Sequence, residues 1–203
     1  MILSSVELQK AQDDGRLKID PEPLPRKPPL AGDAICPYNS HSVDLRLDNI
    51  IKVPEGGTFV YDLTQPGELA ELISKHSKHY NLTLEQPFHL KPGTFILART
   101  LERIELPTNL GSPFLAARIE GKSSRARCGV LIHFTASTVH PGWAGQLTLE
   151  MINLGPATFV LVPGMPIAQL IVEEVKGELI FNPSQFQNQI TPEGLRAPMV
   201  AKV

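Results

Sequence analysis

A short loop of small and basic residues is the first place in this sequence where chemistry can be expected. Residues 121–129 read Gly-Lys-Ser-Ser-Arg-Ala-Arg-Cys-Gly and directly follow an apolar run. At a strand-to-helix turn, small residues expose backbone N–H groups, which suit a polyphosphate when hydroxyls and cations lie beside them. The loop therefore predicts either a polyphosphate-binding site or an exposed basic turn.

A lone carboxylate is the second candidate. Glu150 interrupts the apolar run at 146–153. A carboxylate in the middle of an apolar strand is costly to bury unless it is paired or protonated. Two interpretations are open: a structural ion pair with Arg127 or Arg118, or a general base in a pocket that excludes water.

The histidines and cysteines do not form a metal-binding pattern. His76 and His79 lie three residues apart beside two lysines, and without further ligands we interpret them as solvated. Cys36 and Cys128 are too few for a disulfide framework, so we expect two buried thiols in a reducing cytosol. The sequence also lacks the zinc-deaminase signature and the Walker loop. We therefore expect no zinc site.

Charge and hydropathy exclude two classes of partner. The 203 residues carry a net charge of −2, which excludes a broad electrostatic nucleic-acid footprint as the main activity. No apolar run approaches the ~18 residues of a membrane span, and the N-terminus lacks the pattern of a secretory signal. We therefore expect a soluble, cytoplasmic protein that binds neither nucleic acid nor membrane.

The elements that position these candidates are predicted to be mostly strands. The 15 glycines and 19 prolines are spread between short apolar runs, which favours strands joined by turns over a helical bundle. Helices are expected at about 4–14, where a capping box begins the helix and Gly15 ends it, and at 68–76. Strands are expected at 42–47, 58–62, 82–86, 94–105, 114–120, 129–136, 146–153, 158–162 and 166–174.

This spacing of strands predicts a sandwich or jelly roll. We expect one β domain over residues 1–181, including a proline-rich, extended arm at 21–37. The arm is either a surface loop or a segment that packs on a neighbouring subunit. The polar tail at 182–203 should be ordered only where something holds it.

A series of short motifs runs nearly end to end, from residues 1–4 and 42–47 to the loop at 122–127, and is densest over 133–136 and 141–145. Further matches are Thr100-Leu101-Glu102, Leu106-Pro107, Leu149-Glu150, Pro163-Gly164-Met165 and Phe186-Gln187-Asn188-Gln189. In their order and spacing these motifs resemble the dCTP deaminase family of the dUTPase-like superfamily. The resemblance implies a distorted jelly-roll or β-sandwich subunit with a few short helices. It also implies a homotrimer with active sites at subunit interfaces, and Mg²⁺ bound through the nucleotide triphosphate.

The resemblance also assigns roles by position. Glu150 matches the catalytic glutamate, and the main-chain carbonyl of Ala136 matches one that helps to hold the water. Ser123 and Arg127 match residues near the reacting base. Lys122 stands where many relatives have arginine, which keeps the charge but loses the bidentate fork. The expected nucleotide-binding residues are Lys122, Ser124, Arg127, His140, Trp143, Gln169 and Gln189, the last of these on a tail that closes over the site.

The reaction that the resemblance implies is deamination of dCTP to dUTP and ammonia, in pyrimidine deoxynucleotide metabolism. His140 stands where many relatives have aspartate, which in dUTPases activates the water that attacks the α-phosphate. In dUTPases the position of Glu150 is usually apolar, and the closing tail is rich in glycine. In this chain Glu150 is present and the tail has no such glycine run, and both features favour deamination. The alternatives are a dUTPase or bifunctional enzyme that forms dUMP and diphosphate, and a non-catalytic trimeric nucleotide-binding protein. Inhibition by dTTP is a family expectation.

Overall fold

The computed structural model describes residues 1–29, 35–61, 69–180, 182 and 184–194. In chain order its elements are α1 (Ser5–Asp13), β1 (Lys18–Asp20), β2 (Val43–Arg46), β3 (Ile50–Pro54), α2 (Leu69–Lys75), β4 (Ser77–Asn81), β5 (Phe88–Leu90), β6 (Phe95–Glu105), β7 (Phe114–Gly121), α3 (Ser123–Ala126), β8 (Val130–Leu131), β9 (Thr138–Val139), β10 (Ala144–Asn153), β11 (Phe159–Leu161) and β12 (Pro166–Val175).

Two antiparallel sheets form most of the architecture. One has the order β4-β3-β6-β10-β8, with β1 also paired to β6, and the other has the order β2-β12-β7-β9. Strands β11 and β5 form a separate two-stranded ribbon. Buried residues of both larger sheets belong to one hydrophobic cluster, so the sheets share a core. The prediction of a mainly β fold with a few short helices is confirmed.

Strand β10 shows how the sequence places one functional face. Its residues alternate between buried and half-buried along the whole strand, as expected where one face packs on the core. Leu149 and Met151 are fully buried, and Thr148 and Glu150 lie on the other face. In the antiparallel register with β6, Glu150 lies opposite Leu97. The apolar run therefore buries its aliphatic side chains without burying the carboxylate completely.

Six of the predicted strands are present, as β2, β6, β7, β10, β11 and β12. Three predictions are wrong. Residues 58–61 form no strand, and residue 62 lies outside the described residues. Residues 82–86 form a turn before β5, and of 129–136 only the two residues of β8 pair. Val60 and Leu84 are 82% and 72% exposed, so apolar character here did not indicate a strand packed on the core.

Both predicted helices are present. The Oγ of Ser4 accepts a hydrogen bond from the backbone N–H of Glu7 at 3.3 Å, which caps α1 as the spacing predicted. Glu68, the predicted start of the second helix, lies outside the described residues. The described part of the proline-rich arm contains no helix or strand. No helix in the described ranges is long and apolar enough to cross a membrane.

The environment of the cysteines differs from the prediction. Both thiols are free, but Cys128 is exposed and Cys36 is only half-buried. Cys128 lies in the turn after α3, where its Sγ is 3.4 Å from the carbonyl oxygen of Ser124. The prediction of two buried thiols is therefore wrong, because the loop of Cys128 lies on the surface and Cys36 packs only partly against the core.

Candidate active site

A cavity of about 410 Å³ lies beside the half-buried face of β10. Its walls come from β10, helix α2, the segment 136–140 that includes β9, and tail residues between 184 and 193. The volume is in the range that is typical of small-molecule sites. The predicted site residues that line it are Ala136, His140, Trp143, Glu150 and Gln189.

Glu150 supplies a carboxylate to this cavity. The backbone N–H of Phe134 donates a hydrogen bond to its Oε2 at 3.4 Å. Arg118, one of the two suggested ion-pair partners, binds Glu173 at 2.7 Å instead. Within the described part of the subunit, no ion pair joins Glu150 to Arg127 either. A structural ion pair within one chain is therefore the wrong interpretation of this residue.

A tight turn places His140 and Trp143 at the cavity wall. The backbone N–H of Trp143 donates to the carbonyl of His140 at 3.1 Å, and the N–H of Gly142 donates to Leu106 at 2.7 Å. Gly142 has a φ of 83°, a left-handed conformation that favours glycine. The Pro-Gly-Trp sequence therefore fixes a turn that is anchored to the strand end at Leu106.

The described part of the tail is held by β10. The side-chain amide of Gln189 donates to the carbonyl of Gln146 at 2.7 Å and to the Oγ1 of Thr148 at 3.0 Å. The Oγ1 of Thr148 in turn donates to the carbonyl of Pro192 at 2.9 Å. Gln189 is only 4% exposed. These bonds place the tail against the same strand that carries Glu150.

Four of the five remaining predicted residues lie on a second surface, which we call the basic loop and define as residues 121–127. Lys122 is the N-cap residue of α3, and Ser123, Ser124 and Arg127 are exposed on and just after this helix. None of these four residues lines the cavity. The structure therefore brings the predicted site residues together in two groups rather than one.

Lys122 and Gln169 meet at a residue to which no role was assigned. The Nζ of Lys122 is paired with Oδ2 of Asp44, and the amide of Gln169 donates to Oδ1 at 3.2 Å. Asp44 is only 5% exposed. The alternation of Val43, Leu45 and their polar neighbours indicated an outward-facing aspartate, but β2 is covered on both faces. The signal available in the sequence was a carboxylate inside a predicted strand, and the cover on its second face appears only in the structure.

Charge separates the two groups. Among the described residues that line the cavity there is no lysine or arginine, whereas the basic loop carries Lys122, Arg125 and Arg127. A nucleoside triphosphate needs cations for its phosphates and an apolar, shaped pocket for its base. Within a single subunit these two requirements are met on different surfaces.

A tail residue that the sequence analysis missed also lines the cavity. The carboxylate of Glu193 is 3.3 Å from the Nζ of Lys52, and both side chains are largely buried. The polar composition of the tail gave no signal that it would bury a charged residue.

The histidine pair shows no ligand geometry. His76 stacks on Phe59 with 4.0 Å between ring centroids, and His79 is exposed. The described ranges contain no cluster of three or more His, Cys, Asp or Glu residues that could hold a metal ion.

Comparison with known proteins places this architecture in a family context. Residues 2–175 match the model of the dCTP deaminase-like family. A dCTP deaminase of Rhodospirillum rubrum is 35% identical over 175 residues, which cover 85% of this chain and 82% of that protein. A dUMP-forming dCTP deaminase of Dictyoglomus thermophilum is 38% identical over 175 residues, which cover 84% of this chain and 78% of that protein.

A solved structure shows the same fold. The crystal structure of 2′-deoxycytidine 5′-triphosphate deaminase from Agrobacterium tumefaciens superimposes with a TM-score of 0.58 at 19% identity. The match covers 84% of this chain and 48% of that one, so this chain spans about half the length of the solved chain.

Proposed function

The chain belongs to the dCTP deaminase-like family, and on that premise we propose that it converts dCTP to dUTP and ammonia. The observation that carries the proposal is the Glu150 carboxylate at the wall of a cavity in which no lysine or arginine is found among the described lining residues. A carboxylate at the wall of such a cavity can act as a general base on a bound pyrimidine.

Glu150 acts as the proton carrier in this proposal. It takes a proton from a water positioned by the carbonyl of Ala136, and the resulting hydroxide attacks C4 of cytosine. Glu150 then delivers the proton to the amino nitrogen, the C4–N bond breaks and ammonia leaves. The proton of the new C4 hydroxyl passes to N3 as the carbonyl forms. Ser123 orients the amine or the carboxylate, and Arg127 stabilises the ionised carboxylate.

The active site in this proposal forms between copies of the chain in a homotrimer. The cavity of one copy supplies Glu150 and binds the base, and the basic loop of another supplies Lys122, Ser124 and Arg127 to the triphosphate. The separation of these two groups within one subunit supports this arrangement. A site shared between subunits supplies several donors at once without a large enclosed pocket in one chain.

The substrate in this proposal is dCTP with Mg²⁺ on its phosphates, the form in which Mg²⁺ is commonly bound with nucleotides. Gln189 and the tail close over the nucleotide, with His140, Trp143 and Gln169 among its contacts. We place the reaction in the cytoplasm and expect inhibition by dTTP. The released nucleotide is dUTP; the dUMP-forming enzyme of Dictyoglomus thermophilum represents the alternative outcome.

Incubation of the Glu150→Gln variant with dCTP and Mg²⁺ tests the proposal. The amide keeps the shape of the side chain but cannot accept the proton, so ammonia release should fall by at least ~10²-fold. Nucleotide affinity and oligomeric state should be retained. The matched control is Glu174→Gln, a half-buried glutamate of β12 outside the cavity, which should keep wild-type activity. Ammonia release from Glu150→Gln at nearly the wild-type rate would remove this residue from the mechanism.

A further inference from the structure

A buried carboxylate lies behind the basic loop and organises the side chains around it. The Oδ2 of Asp44 pairs with the Nζ of Lys122. Its Oδ1 accepts hydrogen bonds from the side-chain amides of Gln169 at 3.2 Å and Asn39 at 3.1 Å. Both oxygens of one buried carboxylate are therefore used to hold three side chains from three different segments.

Strand pairing in the sheet fixes the backbone positions of this cluster. Asp44 on β2 lies directly opposite Gln169 on β12, and Gln169 lies opposite Glu120 on β7, two residues before Lys122. The backbone N–H of Asp44 also donates to Pro37 at 2.8 Å. A carboxylate held by backbone pairing on one side and by amide donors on the other gives a flexible lysine a fixed point of attachment.

The remaining donors of Lys122 are free to bind an anion. A lysine ammonium has three N–H donors, and the pair with Asp44 satisfies one of its directions. The Lys122 side chain is 21% exposed, whereas the Asp44 side chain is only 6% exposed. Phosphate oxygens can therefore reach the ammonium from the solvent side while the carboxylate holds it from the protein side. Fixing the side chain in advance lowers the conformational entropy lost on binding.

We propose that Asp44 is a positioning residue, which holds Lys122 and Gln169 in the geometry that binds the triphosphate of the substrate. This inference rests on the function proposed above and deepens it. Asp44 does not itself bind the anion, because a carboxylate repels phosphate. A purely structural ion pair would stabilise the subunit without changing its affinity for the phosphates of the ligand.

The test compares nucleotides that differ only in their phosphates. In the Glu150→Gln background, which blocks turnover, binding of dCTP with Mg²⁺ and of dCMP is measured by calorimetry for Asp44→Asn. The asparagine amide turns a donor towards Lys122, so the lysine is released. We expect the Kd for dCTP to rise about tenfold, the effect of losing a charge-assisted hydrogen bond, with the Kd for dCMP unchanged. With Glu150 intact, KM should rise and kcat should change little.

A double-mutant cycle separates positioning from a structural effect. If Asp44 acts mainly through Lys122, the penalty of Asp44→Asn for dCTP binding should largely disappear in a Lys122→Met background. An equal penalty in both backgrounds, or an equal loss for dCTP and dCMP, would overturn the inference. The control Glu173→Gln breaks the ion pair with Arg118 in the same sheet and should leave both Kd values unchanged.

Asn39→Ala keeps the inference testable if Asp44→Asn does not fold. Asn39 is exposed, and this change removes one donor to the carboxylate without burying an unpaired charge. It should weaken dCTP binding by a few fold and leave dCMP binding unchanged, since only one of the three side chains that hold Asp44 is lost. Unchanged dCTP binding in this variant would contradict the inference. Failure of the wild-type chain to deaminate dCTP would instead refute the proposed function, and the wild-type assay measures this separately.

Discussion

The carboxylate of Glu102 is fully buried, and one arginine, Arg46, donates hydrogen bonds to both of its oxygens. The Nε of Arg46 donates to its Oε1 at 2.6 Å, and the backbone N–H of Arg46 donates to its Oε2 at 2.8 Å. Burial raises the pKa of Glu102 above its ordinary value, and the hydrogen bonds from Arg46 bring it only part of the way back. The folded protein therefore retains this proton at pH values where the unfolded chain has lost it.

This shift predicts how stability depends on pH. Between the ordinary pKa of 4.5 and the raised pKa of the folded state, the native protein binds more protons than the unfolded chain. The contribution of Glu102 to stability therefore falls as the pH rises through that window. Urea unfolding of the wild type and Glu102→Gln over about pH 4 to 7 should show the wild type losing stability relative to the variant. A constant difference would contradict this, and the exposed Glu178→Gln serves as the control.

The residue type at position 140 predicts whether the enzyme releases dUTP or dUMP. Cleavage of the α–β phosphate bond needs a second water and a base beside the α-phosphate. An aspartate at this position would supply such a carboxylate base, and this chain has His140 instead. With His140 at this position, dUTP and ammonia should accumulate together without diphosphate, as measured by chromatography of a reaction with excess dCTP and Mg²⁺. Formation of dUMP in step with ammonia, without released dUTP, would show that another group supplies the base.

At the scale of single residues, the sequence indicated which side chains could be functional better than it indicated how deeply they are buried. Glu150 was recognisable as a carboxylate in an apolar strand, and the structure places it at a cavity. Asp44 was visible in a strand, but its burial depends on the cover over β2, which no local pattern encodes. Glu193 gave no signal at all, since only the docking of the tail brings it to Lys52.

At the scale of elements, the Thr148 hydroxyl makes two of the hydrogen bonds between β10 and the tail, beside the bond from Gln189 to Gln146. Thr148 accepts from Gln189 and donates to Pro192, so Thr148→Val removes both bonds and keeps the shape of the side chain. We expect hydrogen exchange in peptides spanning 184–194 to become roughly 30-fold faster, since two bonds of about 1 kcal/mol each are lost. Thr83→Val, in an exposed turn, is the matched control. Unchanged exchange in the tail would show that other contacts hold it.

Long strands were predictable because alternation and turn residues agree in them. Strand β10 buries alternate residues over all ten positions, and β6 and β12 do so over 98–105 and 168–173, where the sequence pattern has the same period. The short strands were not predictable. β8 and β9 have two residues each, and β4 carries Lys78 and His79 on exposed positions, so pairing with neighbours rather than their own pattern makes them strands.

At the scale of the whole molecule, the candidate site is divided between two surfaces of the subunit. The cavity holds Glu150, and the basic loop holds Arg127. The motifs identified both groups in the sequence, but their spacing along the chain does not say whether one copy or two bring them together. Assembly is decided by the shape of complete surfaces, which single residues do not reveal.

Mixing two inactive variants tests whether subunits share a site. Glu150→Gln inactivates the carboxylate group, and Arg127→Ala inactivates the basic loop. If each site takes Glu150 from one copy and Arg127 from another, trimers that contain both variants include sites with neither substitution. Coexpression should therefore restore part of the dCTP deaminase activity that each variant lacks alone, and light scattering should give the mass of a trimer. Ser123→Ala with Arg127→Ala is the control, because both changes lie on the basic loop and no mixed site regains an intact loop. Full activity from a monomer, or no restored activity in trimers shown by mass spectrometry to contain both variants, would place the complete site within one chain.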